Sequence, residues 1–375
     1  MTNIAFFGHD VADSAVRRRV KAMTHDGFTV TGFMMHRRDS SPPNWKNVDL
    51  GAARDRAMIA RIKSIFVGAR IASKHEDFKT ADLLYARNLD MLAAAFLAKK
   101  FAGLSTPVIY ECLDIHALMI RSDPIGKILR WLEGRLLRRS RGLVTSSPGF
   151  LKNYFEKYHK DRYSAHLVEN RLASGSDYGE RPQSPKPGEA GKLRLGWVGM
   201  LRCERSLDLL CDLADRFPET LEVKLHGIHA KTEIPIFEPL IDKRPNMSFA
   251  GRYKSPEDLA DIYAEIDVVW AGDFMDAGYN SVWLLPNRIY EGGYYGVPAI
   301  APKGTETGNW IEQRASGFTP DEPLKDKLFD LFSQLFECRK PLDQASQALI
   351  DLDENTFVEP VGVVASIVES ALAHS

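Results

Sequence analysis

The sequence predicts an α/β protein with two halves, each a doubly wound parallel sheet covered by helices on both faces. Short apolar runs alternate with helical patterns in the first half, which implies parallel strands joined by right-handed crossovers. A segment rich in proline and glycine interrupts this alternation, and the pattern begins again after it. The length of 375 residues also fits two domains better than one.

The elements follow from the period of the apolar residues. In the first half, strands are predicted at 4–8, 28–35, 83–86, 108–111, 142–145 and 166–169, with helices at 12–25, 54–74, 89–101, 125–139 and 147–157. In the second half, strands are predicted at 193–198, 221–226, 247–250, 268–271 and 299–301, with helices at 205–216, 255–265, 286–295 and near 324–372. Both halves are therefore Rossmann-like.

The interrupting segment sets the domain boundaries. Residues 173–192 contain three prolines and four glycines, so they are predicted to be an interdomain linker. The first Rossmann-like domain is then 1–172 and the second 193–355. Residues 356–375 form a C-terminal helix that is expected to pack back on the first domain. In such a design, ligands bind in the cleft outside the carboxyl ends of the strands.

The net charge of −1 conceals a difference between the two halves. Residues 1–175 contain 29 Lys and Arg against 17 Asp and Glu, and the remainder contains 20 against 33, so charges of +12 and −13 sum to −1. A basic half joined to an acidic half indicates that the first half meets an anionic partner, although such a difference also arises by chance.

Several classes of protein are excluded by missing motifs. The turns at 8–13 and 196–201 lack the GxGxxG of dinucleotide-binding enzymes, and no P-loop motif occurs. No run of about 20 apolar residues exists to span a membrane. The four cysteines form no CxxC pair, which predicts reduced thiols in a cytoplasmic protein, without a disulfide framework or a zinc site.

A diphosphate site is predicted after the strand 193–198. Gly199 allows a ligand to approach the backbone, and Arg202 and Arg205 lie at the start of the next helix. The positive end of a helix dipole and guanidinium groups together favour a diphosphate. The alternative is that two exposed arginines begin an ordinary helix.

The segment 286–298 is predicted to complete this donor site. Pro286 suits the first helical position, and Arg288 then lies in the first turn, where a cation is unfavourable unless an anion binds. Glu291 lies on the same helix face and suits the ribose hydroxyls, or else it is a solvated partner of Arg288. The further donor candidates are Asn287 and Tyr290, with Arg252 and Tyr253 for the nucleobase.

The order of these segments resembles the donor domain of the GT-B glycosyltransferases, in particular family-4-like members. The resemblance rests on Gly199 to Arg205, on 249–251, on 267–269 and on 286–298. It implies a GT-B fold and a nucleotide-sugar substrate, with a UDP-sugar as the first expectation and no further cofactor. It also implies that Arg205 binds the donor diphosphate and that Glu291 binds the ribose.

One position departs from the retaining members of that family. They carry another glutamate eight residues before the ribose glutamate, and this chain has Trp283 there. The longer form of the motif, 285–292 followed by 304–308, resembles bacterial exopolysaccharide-assembly transferases. Inversion at the anomeric carbon is therefore favoured.

An inverting transfer needs a general base, which is expected from the first domain because the second holds the donor. Asp114, in the loop after the strand 108–111, is the first candidate, unless it only caps the following helix. The other candidates for the base are Asp10, Glu111 and His116. The residues expected to contact the acceptor are His9, Arg87 and Asn88.

No metal site is predicted. The single AspXaaAsp motif, 351–353, lies in the C-terminal helical region rather than at a strand end. The arginines are expected to replace a metal ion in neutralising the leaving diphosphate.

Two basic amphipathic helices, 54–70 and 125–139, account for the charge of the first domain. An apolar stripe on such a helix packs on the sheet or binds the anionic inner leaflet of the membrane. The second choice suits an acceptor carried on a polyprenyl diphosphate.

The sequence as a whole predicts a metal-independent glycosyltransferase, peripheral on the inner face of the cell membrane, that acts on a lipid-linked or growing polysaccharide. No nucleic acid is expected as a partner. The alternatives are a nucleotide-sugar 2-epimerase with the same fold and a non-catalytic nucleotide-binding scaffold of a polysaccharide assembly complex.

Overall fold

The computed structural model describes residues 1–36, 43–52, 58–188 and 191–373. The start of the predicted helix 54–74, with Arg54 and Arg56, lies outside the described residues, as do 189–190 of the predicted linker and the last two residues of the chain. Within the described residues, no helix combines the length and the apolar character needed to cross a membrane.

The chain folds into two compact units. The first consists of Met1–Glu169, Ala173–Gly175 and Pro360–Ser375, and the second of Asn170–Leu172 and Ser176–Glu359. Each unit contains one parallel sheet with helices on its faces, so the predicted architecture of two Rossmann-like halves is confirmed.

The first unit is built around a seven-stranded sheet. Its strands are β1 (Asn3–Gly8), β2 (Thr29–His36), β3 (Asn47–Ala52), β4 (Leu83–Arg87), β5 (Val108–Cys112), β6 (Gly142–Thr145) and β7 (Ala165–Leu167). Its helices are α1 (Ser14–His25), α2 (Met58–Lys74), α3 (Glu76–Lys79), α4 (Asn88–Ala102), α5 (Ala117–Ile120), α6 (Pro124–Leu137), α7 (Pro148–Phe150) and α8 (Glu156–His159), with a π-helical turn at Leu151–Phe155.

The second unit is built around a six-stranded sheet. Its strands are β8 (Leu193–Leu201), β9 (Leu221–His229), β10 (Met247–Gly251), β11 (Val268–Trp270), β12 (Ala299–Ile300) and β13 (Gly317–Phe318). Its helices are α9 (Glu204–Arg216), α10 (Glu238–Asp242), α11 (Leu259–Ala264), α12 (Asn280–Trp283), α13 (Asn287–Tyr294), α14 (Glu306–Arg314), α15 (Leu324–Glu337) and α16 (Lys340–Ile350), with a 3₁₀ turn at Glu354–Thr356. The last helix of the chain, α17 (Val363–Ala373), belongs to the first unit.

The strand order places one ligand-binding position in each sheet. The orders are β3-β2-β1-β4-β5-β6-β7 and β10-β9-β8-β11-β12-β13, and neighbouring strands are parallel. In the first sheet, the chain adds strands in one direction from β1 to β3 and in the opposite direction from β4 onward. The second sheet is built in the same way, with the change of direction between β8 and β11. Crossovers on either side of such a switch point lie on opposite faces of the sheet, which opens a crevice at the carboxyl ends of the two strands.

Two strands, β3 and β13, were not predicted from the sequence, and each has a local reason. In β3, only Leu50 of the six residues is buried, because the strand lies at the edge of its sheet and has no apolar alternation. The strand β13 has two residues, which is too short for any period. In addition, Pro286 precedes α13 rather than opening it, with an extended backbone at φ −77° and ψ 151°.

The C-terminal helix completes the core of the first unit. Val364, Ile367 and Val368 are buried in the same apolar cluster as the strands β1 and β4. The Asp26 carboxylate at the end of α1 accepts the N–H groups of Gly362 and Ala365, at 3.1 and 3.0 Å. Helix α17 therefore begins on an anion at its amino end, where the helix dipole favours negative charge.

The proline-rich segment packs on the second unit. Tyr178 is buried, and its carbonyl accepts the Tyr295 hydroxyl at 3.0 Å. The Arg181 guanidinium donates to the carbonyls of Leu352 and Leu349 at 2.9 and 3.0 Å, which satisfies the carboxyl end of α16. The side chains of the tyrosine and the arginine thus anchor a segment that has little other apolar character.

A substitution at Gly227 tests how closely β8 and β9 approach at the second switch point. Gly227 has φ 140°, and a Cβ there would lie 1.7 Å from the carbonyl oxygen of Gly199. We expect Gly227→Ala to destabilise the second unit by roughly 1–3 kcal/mol and to lower the melting temperature by several degrees.

The matched control is Gly278→Ala. Gly278 also has a positive φ of 84°, but a Cβ there meets nothing within 4 Å. Its cost is the backbone strain alone, about 1 kcal/mol. Equal melting temperatures for the two variants would contradict the steric explanation.

Candidate functional site

The carboxyl end of β8 leaves backbone groups open at the second switch point. Gly199 has φ 114° and lies beside Gly227 of β9, a pairing that only glycine permits at this distance. Helix α9 begins five residues after Gly199, and Cys203, which precedes the helix, makes no side-chain cap within the described residues. Free N–H groups therefore remain at the start of this helix.

Arg288 lies at the same point, beneath these backbone groups. It is 8% exposed, and its guanidinium donates to the carbonyl of Val198 at 3.4 Å and to that of Gly272 at 3.3 Å. Among the described residues, its Nε has no hydrogen-bond partner. Burial lowers the pKa of this guanidinium, which shows that the protein solvates the charge poorly. A buried cation with long contacts and a free N–H group is suited to an anion.

Asp273 partly compensates this charge. Burial by itself would raise the pKa of its carboxyl, but Arg202 and the Met275 N–H group outweigh that effect and lower it. Arg202 lies 3.3 Å from one carboxylate oxygen, and the Ser281 hydroxyl donates to the other at 2.8 Å. Asp273 therefore interacts with both cations, with Arg202 by a direct contact and with Arg288 through its charge.

Arg205 is placed differently. It lies in the first turn of α9, pairs with Glu322 at 2.7 Å and covers the ring of Phe274 at 4.4 Å from the centroid. Both partners of the ion pair are about half exposed or more. An exposed pair of this kind contributes little to stability, so Arg205 can leave Glu322 at small cost.

Glu291 lies one turn after Arg288 on α13. It is 6% exposed, and its Oε2 accepts the hydroxyl of Tyr263 at 3.1 Å. The alternative of a solvated glutamate is therefore wrong, because the side chain is buried. A carboxylate is also the kind of acceptor that suits a pair of vicinal hydroxyls.

The remaining donor candidates divide into surface and core positions. Asn287 and Tyr253 are half-buried, and Arg252 is exposed. Tyr290 is fully buried and packs edge-to-face on Trp310, with ring centroids 5.7 Å apart. Its predicted donor contact does not fit this position, because Tyr290 occupies the core-facing side of α13.

At the first switch point, Glu111 is the centre of a buried ion cluster. It is fully buried and accepts bonds from Arg19 at 2.9 Å, Arg87 at 2.6 Å and the Tyr85 hydroxyl at 2.9 Å. Burial would raise the pKa of its carboxyl, but Arg87 and Arg19 lower it. The prediction of Glu111 as a reserve base is corrected, because both oxygens are enclosed by cations.

Contacts continue from this cluster towards the acceptor candidates. Arg87 also lies 3.5 Å from Asp13, and Asp13 lies 3.7 Å from Nε2 of His9. The side-chain amide of Asn88 is 3.4 Å from Nδ1 of His9. The structure thus brings His9, Arg87 and Asn88 together, as the sequence predicts.

Sequence reasoning missed Asp13 and Arg19. Asp13 caps α1 by accepting the N–H groups of Ala15 and Val16, a role that an aspartate directly before a helical pattern indicates. Arg19 belongs to a run of three arginines, and nothing in the sequence separates the buried one from its neighbours.

The other base candidates occupy three environments. Asp10 is 7% exposed and accepts the Ala12 N–H at 3.1 Å. Asp114 is exposed in the loop after β5. His116 caps α5 through its ring nitrogen, which accepts the Leu118 N–H at 3.2 Å. The cap of this helix is therefore His116 and not Asp114, contrary to the alternative considered for Asp114.

Known proteins are similar to this chain in sequence and in fold. The succinoglycan biosynthesis protein ExoL of Rhizobium meliloti (strain 1021) is 39% identical over 330 residues, which cover 84% of this chain and 80% of that protein. The chain belongs to the ExoL family. No protein-family model matches it.

Solved structures agree at the level of the fold. The structure of Anabaena HepE with UDP and glucose has a TM-score of 0.70 at 14% identity, and the match covers 100% of both chains. Sucrose-phosphate synthase from Thermosynechococcus elongatus has a TM-score of 0.74 at 13% identity, again over 100% of both. The prediction of a GT-B glycosyltransferase of the exopolysaccharide-assembly type is confirmed for this ExoL-family chain.

Removing the charge of Glu111 tests the ion cluster. We expect Glu111→Gln to destabilise the first unit by roughly 3–5 kcal/mol, because two buried guanidinium groups lose their counter-charge. The folded pKa of Glu111 lies below its ordinary value of 4.5. The ion pairs therefore stabilise the protein above that pH, and their contribution is lost as the pH falls through the folded pKa.

Urea unfolding at several pH values measures both effects. The difference between wild type and Glu111→Gln should be largest near pH 7 and should shrink in acid. The control is Glu76→Gln, because Glu76 is 76% exposed, and its effect should stay within roughly 0.5 kcal/mol. A pH-independent difference would contradict the assigned charge state.

Proposed function

We propose that this ExoL-family glycosyltransferase moves a sugar from a nucleoside diphosphate to a lipid-linked or growing polysaccharide acceptor, with inversion and without a metal ion. The donor is a UDP-sugar. The observation that supports the proposal is the buried Arg288, whose guanidinium makes long contacts of 3.4 and 3.3 Å close to the switch point.

The donor diphosphate is proposed to bind between α9 and α13. The uncapped start of α9 supplies N–H groups, and Arg202 and Arg288 supply guanidinium groups on one side. Arg205 joins them after it leaves Glu322. Charge-assisted bonds of this kind contribute about 1.5–3 kcal/mol each, and they strengthen as negative charge grows on the leaving group.

The rest of the nucleotide is proposed to lie along α13. Glu291 accepts the two ribose hydroxyls while Tyr263 holds its second oxygen in place. Arg252 and Tyr253, which follow β10, contact the base. The HepE structures with UDP and with UDP-glucose support a UDP-sugar as the donor, because that protein shares the fold.

The chemical step is a direct displacement at the anomeric carbon. The acceptor hydroxyl oxygen forms the new glycosidic bond, the bond to the diphosphate oxygen breaks, and the base takes the acceptor proton. The leaving nucleoside diphosphate keeps the electron pair, and the arginines neutralise its charge. This division of roles needs no metal ion, so excess EDTA should leave the rate unchanged.

Asp114 is proposed as the base and Asp10 as its competitor. Asp114 is exposed at the carboxyl end of β5, so a hydroxyl can reach it, whereas Asp10 is almost enclosed. His9, Arg87 and Asn88 position the acceptor from the contiguous set of contacts around Asp13. Since the curated relative is a succinoglycan biosynthesis protein, the acceptor is proposed to be a polyprenyl-diphosphate-linked saccharide at the inner leaflet.

The donor site is tested with Arg288→Met. We expect UDP to bind about 10- to 100-fold more weakly, because at least one shielded charge-assisted bond is lost. The fold should be as stable as wild type or more stable, because a poorly solvated buried charge is replaced by an apolar side chain. Isothermal titration with UDP and thermal melting measure the two effects.

Two further substitutions sharpen this test. Arg205→Met should also weaken UDP binding, whereas Arg216→Met, an exposed arginine at the other end of α9, should not. Unchanged UDP affinity in Arg288→Met would contradict the site. Tight UDP binding without turnover of any nucleotide sugar would favour the scaffold, and epimerisation of the donor would favour the epimerase.

The base is tested by comparing Asp114→Asn with Asp10→Asn. Loss of the true base should lower the rate of sugar transfer by about 10²–10⁴ while UDP affinity is unchanged. The rate is measured as nucleotide release with acceptor present. If Asp10→Asn produces the loss and Asp114→Asn does not, the two roles are exchanged. If neither variant loses rate, the base lies elsewhere.

A further inference from the structure

The helices α2, α4 and α6 lie on the same face of the first sheet. They connect β3 to β4, β4 to β5 and β5 to β6, so all three crossovers run in one direction across the sheet. Right-handed crossovers in one direction place their helices on one side. The helix α4 contacts both α2 and α6, whereas α1 packs with α17 on the other side. We call the outer surface of these three helices the three-helix face.

This face exposes large apolar side chains. They are Ile62, Phe66, Val67 and Ile71 on α2, Phe101 on α4, and Ile125, Ile128 and Trp131 on α6. Ile62, Ile128 and Trp131 are each 62% exposed. The rings of Phe66 and Phe101 meet edge-to-face at 5.4 Å, which joins the exposed stripes of α2 and α4. Exposed apolar surface of this extent indicates an interaction site.

Positive charge accompanies the apolar side chains. The exposed cations of the three helices include Lys63, Arg70, Lys74, Lys100, Lys127, Arg135 and Arg138. Two acidic residues occur on these helices: Asp90, which pairs with Arg61, and Glu133, which is buried and accepts bonds from Tyr110 and His159. Neither neutralises the exposed lysines and arginines, so the face is basic.

We propose that the three-helix face docks on a bilayer surface that contains anionic lipids, with Ile128 and Trp131 inserted at the level of the headgroups. Lysine and arginine side chains on the same helices then meet the lipid phosphates. Tryptophan is favoured at the level of the headgroups because it has an apolar ring and a polar N–H group. The proposal deepens the proposed function, on which it rests for the identity of the lipid-linked acceptor.

The pattern on this face favours a lipid surface over a protein partner. Protein interfaces gather their apolar residues in a central patch and contain few lysines. Here the apolar side chains are spread over three helices and interleaved with lysine and arginine. A planar charged surface satisfies many separate cations at once, without a complementary shape.

Vesicle flotation of the full chain tests the proposal. Wild type should float with vesicles of phosphatidylcholine and phosphatidylglycerol at low salt, and binding should fall at high salt because the attraction is electrostatic. Vesicles of phosphatidylcholine alone should bind at least tenfold more weakly. The double variant Ile128→Ser with Trp131→Ser should lose at least tenfold in binding to the anionic vesicles, and Lys127→Gln with Arg135→Gln should do the same.

The matched control is Ile236→Ser. Ile236 is 63% exposed in the second unit, so this substitution removes the same kind of exposed apolar surface outside the three-helix face. It should float like wild type. The melting temperature of each variant shows that the fold is kept, and light scattering without vesicles reports self-association through the same face.

Three outcomes would overturn the proposal. The first is equal flotation of wild type and the Ile128→Ser/Trp131→Ser variant, and the second is equal binding of wild type to neutral and anionic vesicles. The third is a wild-type protein that does not bind vesicles but forms a dimer, which the Ile128→Ser/Trp131→Ser variant converts to monomers. The Ile128→Ser/Trp131→Ser variant should bind UDP with wild-type affinity, and Arg288→Met should bind vesicles like wild type. Failure of docking is therefore distinguishable from failure of the proposed donor site.

Discussion

The main constraint on the second unit is a buried guanidinium charge at the point where its sheet changes direction. Arg288 donates to the carbonyl of Val198 in β8 and to that of Gly272 just after β11, and these two strands diverge because their crossovers lie on opposite faces. The same position has two adjacent glycines and the uncapped start of α9. A charge kept at this place costs solvation, and an anionic ligand removes much of that cost. The buried charge of Arg288 therefore lowers the stability of the folded protein, and the same charge favours the binding of an anion.

The first unit solves the corresponding problem with an internal anion. At its switch point, Glu111 and Asp13 together balance the two buried arginines, Arg19 and Arg87, so the cluster holds equal numbers of opposite charges without a ligand. The neighbouring His9 and Asn88 are left to contact uncharged groups such as hydroxyls. The two switch points thus differ in chemistry, because the first has a carboxylate for each buried arginine, whereas in the second Arg202 and Arg288 share Asp273.

Sequence reasoning recovered the parallel sheets because buried strands and amphipathic helices differ in period. It also placed Arg288 and Glu291 on one helix, since residues three apart share a face. It could not identify Asp273, because a short loop without periodicity gives no sign of which arginine it will meet. It misplaced Tyr290, since a tyrosine beside a binding residue has no mark of core packing against Trp310. The assignment of Glu111 was wrong because its partners Arg19 and Arg87 are distant in sequence, and no local pattern shows that they enclose its carboxylate.

The position of α17 has a consequence for the order in which the protein forms. Val364, Ile367 and Val368 are part of the core of the unit that contains the amino terminus. During synthesis, the first unit cannot close its core until α17 has left the ribosome, whereas all residues of the second unit precede α17 in the chain. The half that is made first is therefore the half that is finished last, and a ribosome that stops early releases a complete second unit beside an open first one.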